Sequence, residues 1–543
     1  MKLWTIALLL SLILLACIIS SWFIFKKYYL NDMVHAGIEE QISEQIENDF
    51  HFTMDNVSIN LLSSRAQLTG INLLLLNQSD TVGYFKGDIQ IDVRGWRNLI
   101  FDTQKQIKNI DLKETDIYYA ADHPLIMKNK DENGEQEVKI NNVSAIGKVL
   151  FANKHKEQSG QLSTRFDVAA APNFNSSKEY SVDYLINKIN DFQVSQFHYY
   201  MPDGFYQLMI SDISFSNFDD IALNGVIINS IYSRKTFAEK KELATDNISV
   251  SIDSIQLIDF DRRLDEHVFI DQIKINQPSI DVYKDNNYPP NMDFTPVLVD
   301  LLKEIETPVY VRTAEINSMF IKYTELAEGA EEPGYLFFSE AEAGISNITN
   351  VKDSLQYSRN MLIDAQAKFY GAGKLNASFK YDLLSSTGEF GVKGSLSPMD
   401  IGKANAIISK LEPARIKSGQ VEKLKFNFSG TSTHSTGDMW FEYSDLNLEV
   451  TDVKYWNNRF TRSVINSAGN WALRNSNPAP NGSFRVGAID QDRDKTKSMF
   501  NYWWICLRSG FFSTLNVETA KAEIDFNSEE AATLSDKIGE YGK

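Results

Sequence analysis

The sequence predicts a mainly β protein behind an N-terminal transmembrane helix, and three observations support this fold class. Residues 3–25 form a run of 23 residues without a charge, bounded by Lys2 and by Lys26 and Lys27. From about residue 52, apolar and polar residues alternate with a period of two in many short segments. Segments with helical spacing are few. Together these patterns predict an anchor followed by an antiparallel or meandering sheet with a few short capping helices.

The composition limits the function classes. The 543 residues include 54 Lys and Arg against 72 Asp and Glu, which gives a formal charge of −18. Nucleic-acid binding requires clustered basic residues, so a nucleic-acid partner is not expected. Only two cysteines occur, Cys17 and Cys506, so a disulfide framework cannot hold the chain together.

The apolar run at residues 3–25 is long enough to cross a bilayer as a helix. A cleaved signal peptide usually has a shorter apolar core, which favours an uncleaved anchor. One alternative stays open, because Leu14-Leu15-Ala16-Cys17 resembles a lipobox in which Cys17 would be acylated. Flanking charges do not decide the orientation, but a strand-rich remainder without a cytosolic cofactor motif predicts export.

Helical spacing is confined to a few segments. Ile38, Ile42, Ile46 and Phe50 recur every four residues among glutamates, which predicts an amphipathic helix directly after the anchor, within residues 28–51. Further helices are predicted at residues 180–193, 293–306, 398–411, 494–515 and 528–541.

A small β unit recurs along the chain. Apolar residues at positions 1, 4, 6, 11 and 13 of the unit match residues 107–119, 270–282 and 311–323. Each copy predicts two short strands joined by a polar bend, at residues 113–115, 276–278 and 317–319. Such repetition indicates a body that grows by adding strands.

The sequence offers no recognisable catalytic, metal or cofactor site. The seven histidines show no ligand-like spacing, and no phosphate loop or nucleophile motif is present. Residues 490–494 imitate the start of a calcium loop, but Lys495 occupies the position that needs glycine. Asp259 and its acidic neighbours are interrupted by Arg262 and Arg263, which argues against a glycosidase pair. We therefore expect a protein that is not an enzyme and has no cofactor.

An aromatic segment at residues 499–512 contains Trp503, Trp504 and several Phe and Tyr residues. Such a helix could cover the open end of a sheet, or it could lie at a membrane interface. The two interpretations are compatible.

The order of these segments resembles the AsmA-like proteins of the Gram-negative envelope. Residues 270–283, followed by Lys284-Asp285-Asn286-Asn287, are similar to that family's recurrent unit. The other matching motifs are Val57-Ser58-Ile59, Gly70-Ile71-Asn72-Leu73, Trp96-Arg97-Asn98-Leu99, Ser397-Pro398-Met399-Asp400, Ile416-Lys417-Ser418-Gly419 and Arg485-Val486-Gly487. Residues 120–240 match least clearly.

The resemblance implies an elongated, curled β-sheet groove with an apolar interior, held in the periplasm by a single inner-membrane anchor. Such bridge-like proteins are implicated in phospholipid transfer and in outer-membrane biogenesis and homeostasis. The expected partners are membrane phospholipid, the inner membrane and other envelope proteins. The regions expected are an anchor (1–27), a juxtamembrane helix (28–51), an N-terminal β-groove region (52–240), a central β repeat region (241–395) and an AsmA-like C-terminal region with terminal helices (396–543).

Alternation along the strands selects the residues expected to line the groove. They are Ile89, Ile91, Val93, Ile110, Leu112, Ile273, Ile275, Ile280, Val282, Phe426 and Phe428. Two other functions stay open. A structural or scaffold protein of the envelope would have solid β cores, and a surface-active enzyme, for example on glycans, would need carboxylates gathered in a cleft.

Overall fold

A computed structural model describes most of the chain and is mainly β. The described residues are 30–45, 49–60, 62–77, 80–95, 104–120, 137–152, 160–171, 174–175, 189–216, 220–263, 267–351, 355, 358–411, 414–450, 474–515 and 520–538. The predicted anchor at residues 1–27 and Cys17 lie outside these ranges. Among the residues that the structure describes, no helix is both long and apolar enough to cross a membrane.

The chain forms two compact units, Met1–Phe218 and Asp219–Lys543. The described part of the first unit begins with helix α1 (Leu30–Gln45). Its strands are β1 (Asp49–Thr53), β2 (Asn56–Asn60), β3 (Arg65–Asn77), β4 (Asp80–Val93), β5 (Gln104–Ala120), β6 (Glu137–Ala152), β7 (Leu162–Ala170), β8 (Phe174–Asn175), β9 (Ile189–Tyr200) and β10 (Tyr206–Ser216).

The second unit contains the remaining strands. They are β11 (Asp220–Ser230), β12 (Asn247–Arg263), β13 (His267–Asn276), β14 (Ser279–Asp285), β15 (Val309–Leu326), β16 (Gly334–Thr349), β17 (Asn360–Phe369), β18 (Gly373–Asp382), β19 (Phe390–Leu396), β20 (Met399–Asp400), β21 (Ala414–Gly430), β22 (His434–Val450), β23 (Ser483–Asp492) and β24 (Ala520–Asp525). The helices are α2 (Arg234–Lys241), α3 (Leu298–Glu304), a 3₁₀ turn (Ile401–Ala404), α4 (Asn405–Leu411), α5 (Met499–Leu515) and α6 (Glu529–Ile538).

Strands that are neighbours in sequence are mostly neighbours in space. In the first unit β1 and β2 both pair with β3, and pairing then continues through β4, β5, β6, β7, β9 and β10. In the second unit it runs from β11 to β24, with β13 and β14 both lying between β12 and β15. The pairing is antiparallel except for β6 on β5 and for β15 on β13 and β14. This agrees with the predicted meandering sheet.

The recurrent β unit is confirmed in space. The copies at 270–282 and 311–323 lie side by side in parallel, with Ile270 opposite Val311 and Ile280 opposite Ile321. In all three copies the bend holds a residue with positive φ, namely Glu114, Gln277 or Ser318. Two copies do not break into two strands as predicted, because β5 and β15 run through the bend as bulges. A bulge adds one residue and bends the strand locally.

Most predicted helices are present, with shorter bounds. Helices α3, α5 and α6, and the 3₁₀ turn with α4, fall within the predicted segments. Two expectations were wrong in part. Phe50 lies in β1 rather than in the first helix, and residues 189–193 belong to β9. In both places the period-two alternation of a strand extends over these residues. Hydrogen bonding to a neighbouring strand then satisfies their backbone N–H and C=O groups.

The largest core lies in the second unit, between β17–β23 and the helices α3 and α5. Tyr381, Phe428, Phe441 and Tyr502 are among its fully buried side chains. A smaller core in the first unit joins α1 to β1–β4, around Phe52 and Leu68. A third small core packs α6 on Trp440 and Phe484.

Gly394 of β19 provides a test of this packing. A Cβ there would lie 2.3 Å from the Phe426 ring and 2.5 Å from the Asn376 carbonyl oxygen. We expect Gly394→Ala to lower the free energy of unfolding of the second unit by about 2 kcal/mol, because the aromatic ring must move. Urea denaturation measures this change. Gly344→Ala is the control, since a Cβ at Gly344 meets nothing within 4 Å; equal losses in both variants would contradict the packing.

Candidate functional site

In the first unit, strand register brings apolar side chains into continuous rows that cross the sheet. Directly opposed residues share one face, so a chain of opposed apolar residues makes an apolar stripe. The longest row is Leu68, Ile89, Leu112, Ala145, Val168, Phe192 and Phe215, and it crosses β3 to β10. A second row is Ala66, Ile91, Ile110, Val143, Ala170 and Ile189. Val93 begins a third, opposite Ile107. We call this surface the first apolar face.

The second unit has rows of the same kind. One row is Ile221, Leu257, Ile273, Ala314, Ile345, Ile363, Phe379, Val392 and Phe428. The next row is Leu223, Ile255, Ile275, Ile316, Ala343, Ala365, Ala377, Gly394, Phe426 and Met439. Ile280 and Val282 add two shorter rows opposite Ile321 and Tyr323. We call this surface the second apolar face.

All eleven residues predicted from alternation therefore lie in these rows. Five fall on the first face and six on the second, within their own units. Register explains the outcome, because a slip of one residue in any pair would send the whole set of side chains to the other side of the sheet. Whether these side chains line a lipid groove stays a prediction.

The described residues cover the first apolar face at one edge only. Helix α1 packs Val34, Ile38 and Ile42 over the core at β1–β4, where Ile89 and Ile91 also make contact. None of the described helices makes more than slight contact with β5 to β10, and side chains such as Leu112 and Phe192 are only partly buried. Exposed apolar surface of this extent is typical of interaction or ligand-binding sites.

The second face changes character along its length. From β17 to β23 it is closed by α5 and α3, and Phe426 and Phe428 are buried there by neighbouring side chains. Helix α4 packs near Gly334 of β16. By contrast, Ile255, Ile273 and Ile275 on β12 and β13 are partly exposed and belong to none of the buried clusters of the described residues.

The opposite side of each sheet is polar. In the first unit Ser144 and Gln90 both donate to Asp111, at 2.6 and 3.2 Å. In the second unit Asn317 donates to Asn276, which donates to Ser254, at 3.2 and 3.0 Å. These side chains alternate with the apolar rows, so each sheet has one dry and one wet face.

Helix α2 lies on the wet side of the second unit. Its Arg234 pairs with Asp281 at 2.8 Å and lies 4.7 Å above the ring of Tyr283. Asp281 and Tyr283 alternate with Ile280 and Val282, so the helix packs away from the second apolar face.

Other candidate chemistry is not assembled by the described residues. No group of three or more His, Cys, Asp or Glu side chains with metal-binding geometry occurs within the described ranges. Asp490 and Asp492 of the calcium-like segment instead flank His434, at 3.3 and 2.9 Å, on adjacent strands. Asp259 lies within β12 and has a φ of 50°.

Sequence reasoning missed the row residues on β7, β9, β10 and β11. Val168, Phe192, Phe215 and Leu223 continue the rows but are not among the residues predicted from alternation, and the same is true of Leu257 on β12 and Ile345 on β16. The signal was present in the period-two alternation of these strands, for example in residues 206–216. The lateral continuity itself needs the register, which a single strand does not contain.

Comparison with known proteins does not assign this chain to a family. No protein-family model matches the chain, and no curated protein matches it. What the structure defines is a class by architecture alone, a mainly β protein whose sheets carry an apolar and a polar face. The AsmA-like resemblance remains a hypothesis about this class.

The wet face supplies a pH test. Arg65 donates two hydrogen bonds to Asp92, at 2.6 and 3.0 Å, and this hydrogen bonding holds the pKa of Asp92 below its usual value. A lowered carboxyl pKa stabilises the fold above the unfolded value of about 3.9, and that stability disappears as the pH falls through the folded pKa. We expect Asp92→Asn to cost less than about 1 kcal/mol at pH 7 and nothing in strong acid. Denaturation curves across pH measure this, and a difference that persists in acid would contradict the assignment.

Proposed function

We propose that this protein handles phospholipid without catalysis, by holding acyl chains against its two apolar faces. The observation that carries the proposal is the lateral continuity of the rows, combined with their incomplete cover by described residues. Apolar surface of this kind is stabilised when it leaves water, by about 25 cal/mol for each Å². An acyl chain supplies matching apolar surface, whereas the polar ladders keep the other side of each sheet wet.

The finer picture belongs to the same proposal. The protein would be an AsmA-like protein, anchored in the inner membrane by residues 3–25, with the remaining chain in the periplasm. Its sheets would curl into an elongated groove. Bulges support this, because register shifts with a positive-φ residue recur in the long strands, at Gly70, Glu114 and Gln196, and each bulge bends its strand. Transfer of phospholipid along the groove would contribute to outer-membrane biogenesis and homeostasis.

A second function is favoured by a specific observation. The C-terminal core at β17–β23 is filled by side chains, with Phe390, Phe428 and Tyr502 in contact. A solid core is what a scaffold protein of the cell envelope would have. We assign this part to structure, and we assign lipid binding to the partly exposed rows on β5–β10 and β11–β14.

Native mass spectrometry of the full chain, released from the envelope in a nanodisc-forming polymer, tests the lipid proposal. We expect phospholipid that stays with the protein after the polymer is exchanged. Lipid extraction and quantification identify the class bound. A stable, monodisperse and lipid-free protein would contradict lipid handling and would favour the scaffold.

A charge placed on the second apolar face provides a sharper test. Ile275→Asp puts a carboxylate in the middle of a partly exposed row, and we expect it to reduce bound lipid several-fold, since a buried charge costs far more than a methylene gains. Lipid quantification at matched protein concentration measures the effect.

Ile227→Asp is the matched control. Ile227 is an isoleucine of β11 that lies opposite Ser251, between Val226 and Ile228, and thus on the wet side. The Ile227→Asp variant should keep its bound lipid. Retained folding with unchanged lipid in Ile275→Asp, or equal losses in both variants, would contradict the assignment.

A further inference from the structure

Two segments of the second unit, residues 292–305 and 500–504, concentrate exposed apolar side chains. The exposed large apolar residues of the described chain number sixteen, and six of them lie here; the other ten are spread over the two units. The six are Met292, Phe294, Leu301, Ile305, Phe500 and Trp504. We call this set the aromatic patch.

Hydrogen bonds hold the two segments together. The backbone N–H of Thr295 donates to the carbonyl oxygen of Lys495 at 2.8 Å, and its hydroxyl donates to the carbonyl oxygen of Thr496 at 3.4 Å. Arg493 donates to the carbonyl oxygen of Thr295. These bonds place Phe294 beside the loop that leads into α5, whose first turn carries Phe500.

The side chains of the patch project from the surface. Met292, Phe294 and Phe500 are 72%, 62% and 66% exposed. Phe500 and Trp504 are four residues apart on α5 and so share one side of the helix. Tyr502 and Cys506 of the same helix are buried in the core. Helix α5 is therefore a cap on its inner side and an apolar surface on its outer side.

The patch is joined to the second apolar face by aromatic contacts. The ring of Phe500 packs edge-on against Trp503 at 5.3 Å, and Trp503 packs on Phe379 at 4.6 Å. Phe379 is a member of the row that contains Ile273 and Phe428. An apolar path thus leads from the exposed patch to the row.

The charges around the patch discriminate between partners. Over residues 292–306 and 493–508 the acidic and basic residues are equal in number, five of each. The basic residues are Lys303, Arg493, Lys495, Lys497 and Arg508, and the acidic residues are Asp293, Asp300, Glu304, Glu306 and Asp494. Because these segments carry no excess of positive charge, the surface does not complement an anionic membrane. Trp, Phe, Met and Leu do suit the interface of a bilayer with zwitterionic headgroups, where apolar side chains enter and the indole stays at headgroup level.

We propose that the aromatic patch docks the protein on a zwitterionic bilayer, for example phosphatidylethanolamine, at a site separate from residues 3–25. The inference rests on the proposed lipid handling, because it gives the second face a place to exchange lipid with a membrane. Projecting single side chains favour a fluid bilayer over a second copy of this chain, which would need a shaped complementary surface.

Vesicle flotation tests the docking. The full chain is held in nanodiscs, so that residues 3–25 are occupied, and is mixed with acceptor vesicles of phosphatidylethanolamine and phosphatidylcholine. We expect the protein to float with these vesicles, equally at low salt and at about 0.5 M salt, because apolar insertion is not screened. Phe500→Ser with Trp504→Ser should weaken binding about tenfold or more, since two large side chains no longer leave water.

Leu362→Gln is the matched control, because Leu362 is 42% exposed and Trp504 is 43% exposed, in the same unit. It should float as the wild type does. Binding confined to anionic vesicles and lost in salt would overturn the proposal, as would a double variant that binds normally. A double variant that changes only self-association, measured by sedimentation, would assign the patch to a second copy and overturn it too.

The phospholipid that stays with the protein after the nanodisc polymer is exchanged separates this inference from the proposed function. The double variant should keep its bound lipid while it loses vesicle binding. Absence of bound lipid from the wild type would contradict lipid handling. A double variant with normal bound lipid and normal vesicle binding would contradict the docking proposal alone. Near-identical melting temperatures of variant and wild type, measured by circular dichroism, show that the fold is retained.

Discussion

Lateral register between strands is the constraint on which the rest of this structure depends. Alternation makes each strand amphipathic, but only register aligns Leu257 with Ile273 and Ile273 with Ala314 to make a stripe. A one-residue slip anywhere would put a polar residue into the stripe and an apolar one among the hydrogen-bonded ladders. The polar side therefore specifies the fold as much as the apolar side does. Asn276, for instance, is hydrogen-bonded to residues on both neighbouring strands.

Bulges make that register possible in long strands. Without an extra residue, β5 would carry one alternation from end to end, and Leu112 and Ile117 would point to opposite sides. The positive-φ residue Glu114 corrects the phase, so both side chains lie in apolar rows. Gly147 of β6 lies against Thr115, where a Cβ would come within 2.2 Å of its carbonyl oxygen. The bend and its neighbour are thus fitted to each other, and the strand bends locally there.

The apolar rows differ along their length in how far the described side chains cover them. Where α5 covers β17–β23, the rows become an ordinary core that contributes stability. Where no described helix covers them, on β5–β10 and β11–β14, the same rows are the ones on which the proposed lipid binding depends. Helix α5 itself has a buried apolar side and an exposed apolar side, since Tyr502 and Cys506 face the core while Phe500 and Trp504 face outward. Stability and the proposed lipid handling therefore depend on the same rows, and on which parts of them protein side chains cover.

The sequence by itself determined the mainly β class, most of the short helices and the facing of individual strands, because each follows from a local period. It also indicated the repeat, since the apolar pattern at 270–282 recurs at 311–323. It did not indicate helix α2 (Arg234–Lys241). The tertiary structure alone decided that these copies lie side by side in parallel, that Phe426 and Phe428 are buried while Ile275 is partly exposed, and that Phe294 lies beside the start of α5. Such facts depend on partners distant in the chain. Alternation predicts which face of a strand is apolar, but it does not predict what excludes water from that face.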